Sequence, residues 1–110
     1  MRFRFGAAAA LVAAAALFST SVIAQDAAAG SRKAVACQTC HGLDGLSRLP
    51  EAPHLAGQPA LYLERALRAY RDGERRNEVM SIAAKPLSDQ DIRDLAAYYA
   101  SIQISIKAAP

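Results

Sequence analysis

One five-residue string, Cys37-Gln38-Thr39-Cys40-His41, constrains this 110-residue chain more than any other feature. Both of its cysteines lie in that string. Two thiols at this spacing fall on one helical turn, where each can add to a vinyl group of a porphyrin as a thioether. The histidine beside the second thiol is then held under the ring, where its imidazole ligates the iron. A C-x-x-C-H string therefore reads as the attachment site of a c-type haem. Two other readings of the cysteine pair stay open. A thiol redox motif expects a βαβ surrounding, and no strand pattern flanks the string. Closed structural zinc takes four ligands, and only His54 remains to help.

The first two dozen residues do not belong to the folded domain. Arg2 and Arg4 make a positive start, Gly6 to Phe18 an alanine-dominated apolar run, and Ser19 to Ala24 a small-residue close. Residues 1–24 thus read as a signal peptide, cut near Ala24 after Val22-Ile23-Ala24. The apolar run is shorter than the roughly 20 residues that a bilayer span needs. An uncleaved membrane anchor is the alternative. Export and the haem string support each other, because covalent attachment of this kind takes place outside the cytoplasm. The expected location is periplasmic, with no stable membrane insertion after cleavage.

Residues 25–110 then form a single domain of about 86 residues, small enough for its own core to be marginal. A buried haem, a large apolar body, would supply much of the missing interior. A structure without it is expected to leave an apolar slot above His41. The formal charge of +3 falls to about +1 once Arg2 and Arg4 are removed, and two haem propionates would offset the rest. Nucleic-acid binding is not implied.

Ala27 to Cys37 reads as a short helix running into the haem string. Gly42 to Pro53 is glycine- and proline-punctuated, hence a loop. Leu63, Leu67 and Tyr70 then recur at the spacing of an amphipathic helix between Pro59 and Gly73. Arg65, Arg68 and Arg71 lie off that stripe and are expected to face water. Residues 74 to 87 read as a loop carrying Met80, with Lys85-Pro86 excluding helix there. Ser88-Asp89-Gln90-Asp91 resembles a capping box. It opens a helix whose stripe is Ile92, Leu95, Tyr99 and Ile102. No internal repeat and no phosphate-binding glycine loop occurs.

These strings together resemble class I cytochrome c, specifically its small periplasmic monohaem type. The likeness covers residues 27 to 102. It rests on Cys37-Gln38-Thr39-Cys40-His41-Gly42, Pro53-His54-Leu55-Ala56-Gly57-Gln58, Met80, and Leu87 to Tyr99. The resemblance implies an all-α fold, three to four short helices wrapped compactly around one covalently bound haem. It further implies that Cys37 and Cys40 carry the thioethers and that His41 is the proximal iron ligand. Pro53 would offer its carbonyl to the His41 ring, Leu55 would pack on the haem, and Met80 would be the distal ligand. Gly30 would let the first helix cross close to the last, near Tyr98. Gln58 and Tyr62 are typical positions. The chain departs from many relatives in having no proline between Arg76 and Lys85.

Met80 can also be read as ordinary core filling. Against that, the domain offers only Met80 and His54 as distal donors, and His54 reads better as a solvated loop residue. The expected function is electron transfer by one haem c with His/Met ligation, not catalysis. Donors and acceptors would be redox proteins met transiently. The alternative is a small cytochrome subunit bound permanently in a periplasmic dehydrogenase or oxidase. An open iron would make the chain a haem enzyme or gas sensor instead. The arginines from Arg65 to Arg76 alternate with acids and read as a solvated mixed face or as a docking patch. Because the loop around Met80 has no glycine or proline from residue 75 to 84, it is expected to be held by packing of Val79 and Ile82.

Overall fold

A computed structural model describes residues 24–109, together with Met1. The signal peptide expected over 1–24 therefore lies almost wholly outside the described residues. Among those described there is no strand. Five α-helices follow in order: α1 (Ala27–Lys33), α2 (Gln38–His41), α3 (Ala60–Asp72), α4 (Met80–Ala83) and α5 (Asp89–Ser101). A 3₁₀ turn, Ala34–Ala36, joins α1 to α2. The count exceeds the three to four expected because α2 and α4 are single turns. None of these helices is long and apolar enough to cross a membrane.

Local chemistry explains the boundaries. Asp26 caps α1 by accepting the Ala29 N–H at 3.0 Å, while Arg32 and Lys33 occupy its last turn, where the helix dipole favours cations. Ser88 caps α5 by accepting from Asp91 N, and the Asp91 carboxylate accepts from Ser88 N in return, so the capping box is complete. Gly73 ends α3 in the left-handed region, at φ 84°, which costs glycine nothing.

The core is the meeting of α1, α3 and α5. Ala34, Leu63, Leu95, Ala96 and Tyr99 form its buried cluster, with Cys37, Leu55, Leu67, Tyr98 and Ile102 packed against it. Gly30 is where α1 crosses α5. A Cβ there would collide with the Asp94 carbonyl and lie 2.7 Å from the Tyr98 Cβ. Polar groups lock the same crossing. Asp94, only 2% exposed, accepts from Lys33 Nζ at 2.7 Å, from Asp26 N at 2.9 Å and from Gln90 Nε2 at 2.7 Å. Lys33 also pairs with Asp91 at 2.9 Å.

The expectation that Arg65, Arg68 and Arg71 all face water is corrected for two of them. Arg65 is exposed. Arg68 instead reaches the buried Glu64 at 3.1 Å, and Arg71 reaches Asp89 at 2.8 Å and the Leu87 carbonyl at 3.3 Å. Long aliphatic stems let both guanidiniums lie along the α3–α5 seam while keeping ionic partners.

Candidate haem-attachment site

The 3₁₀ turn ends at Cys37, whose N–H donates to the Ala34 carbonyl at 2.9 Å. From there α2 carries Cys40 and His41, and the His41 N–H donates to the Cys37 carbonyl at 3.0 Å. Both cysteines are free and partly buried. Gly42 ends the turn at φ 73°; a side chain there would strike the Leu46 carbonyl. This tight exit folds the following loop back under the histidine.

His41 is buried. Its Nδ1 lies 2.9 Å from the Pro53 carbonyl oxygen, to which it donates. One ring nitrogen is thereby spent, and Nε2 is the nitrogen left to coordinate a metal. A carbonyl on Nδ1–H fixes the tautomer and makes Nε2 the better donor. The loop that brings Pro53 into place is braced at several points. Arg48 N donates to the Cys40 carbonyl at 2.8 Å, and Leu55 N to the Gly45 carbonyl at 2.8 Å. His54 Nδ1 accepts the Ser47 N–H at 2.8 Å. His54 is thus an exposed loop brace, with one ring nitrogen already engaged. The Tyr98 hydroxyl donates to the Leu43 carbonyl, tying α5 to the same loop.

Leu55 packs against the buried cluster beside Cys37. Gln58 reaches the His54 carbonyl at 3.4 Å, and Tyr62 is exposed. Met80 is partly buried and is the first residue of α4, not part of a loop. Val79 and Ile82, expected to hold it by packing, are 62% and 76% exposed, and hydrogen bonds to its backbone come from Asn77. Its Oδ1 accepts the N–H of Val79 at 3.0 Å and of Met80 at 2.9 Å. An asparagine three residues before the helix start is a capping signal that could have revealed α4.

The alternatives for the cysteine pair are weakened by this geometry. Burial pushes the Cys37 thiol up, with Cys40 adding to the shift, whereas dithiol exchange needs a low-pKa thiolate. Among the described residues, no group of three His, Cys, Asp or Glu side chains comes together to hold a metal. The residues present do fit a haem. Both thiols stand on one turn beside an oriented histidine. Tyr99 is buried and its hydroxyl neighbours Cys37; burial drives its pKa up. Leu43, Leu46, Leu49, Leu61 and Tyr62 leave apolar surface open on the loop after the haem string and on α3.

The expected apolar slot above His41 is not among the cavities that stand out. One, of about 520 Å³, lies between α3 and α4 and is lined mainly by polar and charged residues, including Arg71, Arg76, Asn77 and Lys85. Another, of about 370 Å³, lies between Ser47 and His54.

Comparison with known proteins agrees with the site. The sequence model of the family described as Cytochrome c matches residues 27–103. Cytochrome c-554(548) of Halomonas halodenitrificans is 51% identical over 81 residues, which is 71% of this chain and 98% of that protein. A thiosulfate dehydrogenase electron acceptor of Thiomonas intermedia is 46% identical over 76% of this chain but only 39% of its own length. The crystal structure of reduced recombinant cytochrome c4 from Pseudomonas stutzeri superimposes with a TM-score of 0.70 at 40% identity, covering 79% of this chain and 50% of that one. The chain thus spans half or less of the latter two relatives.

Proposed function

The chain belongs to the cytochrome c family and binds haem c covalently, and from that premise we propose that it is a periplasmic carrier of single electrons with His41 and Met80 as axial ligands. When bound, the haem supplies a one-electron Fe(III)/Fe(II) couple. Cys37 and Cys40 tether it from one turn, so the cofactor cannot dissociate. His41 presents Nε2 in a fixed orientation because the Pro53 carbonyl holds Nδ1–H. Met80 would hold the iron through its thioether, which would favour the ferrous state and keep small ligands out. The other histidine, His54, is occupied in a loop. The reading is that no substrate is transformed.

The observation that carries this proposal is the pairing of the C-x-x-C-H turn with the His41–Pro53 hydrogen bond. Export rests on the composition of residues 1–24, and contacts with donors and acceptors would be small and transient. Within the arginine cluster, Arg68 and Arg71 are taken up in ion pairs and Arg75 lies 4.7 Å over the Tyr70 ring. Arg65, Arg75 and Arg76 are exposed and make no ion pair among the described residues, which favours a mixed solvated face.

A second reading has one observation behind it, the likeness to a thiosulfate dehydrogenase electron acceptor. On that reading the chain works as a subunit held by its enzyme, and purification at native levels would bring a second chain with it. The first test is mass spectrometry and oxidised and reduced visible spectra of the exported protein. A carrier gives the mass of the chain from about residue 25 plus one haem, and a charge-transfer band from methionine to ferric iron that Met80→Ala abolishes. A chain mass without haem, or a spectrum unaffected by Met80→Ala, would overturn it.

A further inference from the structure

Met80 begins a helix of one turn, Met80–Ala83. Such a turn is unstable alone, because nucleation costs more than a single turn of hydrogen bonds returns. Something outside the turn must fix it. α4 contains no buried residue, and Val79 just before it and Ile82 within it are exposed.

The fixing contacts are polar and converge on one side chain. Asn77 Oδ1 accepts both the Val79 N–H and the Met80 N–H, at 3.0 and 2.9 Å. The Asn77 main chain is gripped in return: its N–H donates to Ser81 Oγ at 3.0 Å, and its carbonyl accepts from Ser81 N at 3.0 Å. On the other side, the Met80 carbonyl accepts from Ala84 N at 2.9 Å. Ala84 is fully buried and is the segment's one foothold in the interior. Met80 is therefore pinned at its N–H by Asn77 and at its carbonyl by Ala84, with Ser81 closing the clasp.

We infer that Asn77, through this clasp with Ser81, is the residue that positions Met80 for the iron. The inference rests on the proposed role of Met80 as distal ligand. Its physical basis is that a thioether is a weak ligand and leaves easily if its backbone can drift. A carboxamide oxygen bonded to two consecutive N–H groups removes that drift. It also satisfies donors that a helix start otherwise leaves orphaned.

The test compares four holoproteins: unmutated, Asn77→Ala, Asn77→Asp, and Val79→Ala/Ile82→Ala. Readouts are the methionine-to-iron charge-transfer band and carbon monoxide binding by the reduced form. Asn77→Ala loses both acceptor bonds, so its band should weaken and its carbon monoxide-accessible fraction should rise about 5- to 30-fold. Asn77→Asp keeps an acceptor oxygen and should retain the band. The double variant should retain it too. A merely structural role would lower the melting midpoint of Asn77→Ala while leaving the band and ligand exclusion unchanged; that result overturns the clasp. Loss of the band in the double variant, with Asn77→Ala normal, restores the packing account. A missing band in the unmutated protein rejects Met80 as ligand and this inference with it, so the two failures are distinguishable.

Discussion

The ring of His41 and the main-chain carbonyl of Pro53 are joined across twelve residues by a 2.9 Å hydrogen bond. The acceptor is backbone, so its strength depends on how rigidly the loop from Gly42 to Gln58 is held. Proline restricts that loop by fixing φ. Pro53→Gly should loosen the bond, make Nε2 less basic and raise the reduction potential. The expected shift is below about 60 mV, the one-electron equivalent of a tenfold change in equilibrium. Potentiometric titration measures it; a lowered potential would contradict the direction.

The α1–α5 crossing admits no side chain at Gly30. A methyl group there meets the Asp94 carbonyl and the Tyr98 Cβ, and both belong to helix α5. Gly30→Ala should therefore destabilise the holoprotein by about 1–3 kcal/mol, as overpacking does. The melting midpoint should fall by roughly 4–8 °C for each of these. An unchanged midpoint in calorimetry would show that the helices can separate without cost.

The same crossing should be acid-sensitive. The Lys33 ammonium, and then the Ser88 N–H, hold the Asp91 carboxyl down at about 2. Burial opposes ionisation of Asp94, yet bonds from Lys33, Asp26 N and Gln90 outweigh it and keep that carboxyl below its usual range. Groups with lowered folded values stabilise the fold above about pH 4, the unfolded value, and lose that contribution as pH falls through the folded one. Stability should decline between about pH 4 and 2. Asp94→Asn should cost about 1.5–3 kcal/mol at neutral pH, the worth of bonds to a charged group. The gap between variant and unmutated protein should close below about pH 2. A gap independent of pH would mean that packing, not charge, is what Asp94 contributes.

The two long helices were legible because each carries its own signal. Leu63, Leu67 and Tyr70 mark the inner face of α3, and Ser88 with Asp91 announces α5 before its apolar stripe begins. Met80 was harder to place. A four-residue helix is too short to show a period, and its support comes from an asparagine side chain whose partners are backbone atoms. Val79 and Ile82 announce only that they are apolar and near Met80, and hydrophobicity alone does not say what covers a side chain. The outward arginines failed for the opposite reason. Arg68 pairs with Glu64 one turn back on α3, a spacing the sequence does show. But Arg71 finds Asp89, an acid brought by tertiary folding that spacing along α3 does not reveal. The haem string was legible in full, because its chemistry is set by five consecutive residues.

Carbon monoxide added to the reduced, unmutated holoprotein at neutral pH tests the central claim most directly, since a carrier needs both sides of its iron occupied. With His41 on one side and Met80 on the other, the visible spectrum should not change. Rapid conversion to a carbon monoxide complex would show an open coordination position. It would contradict the reading of this chain as an electron carrier with His/Met ligation.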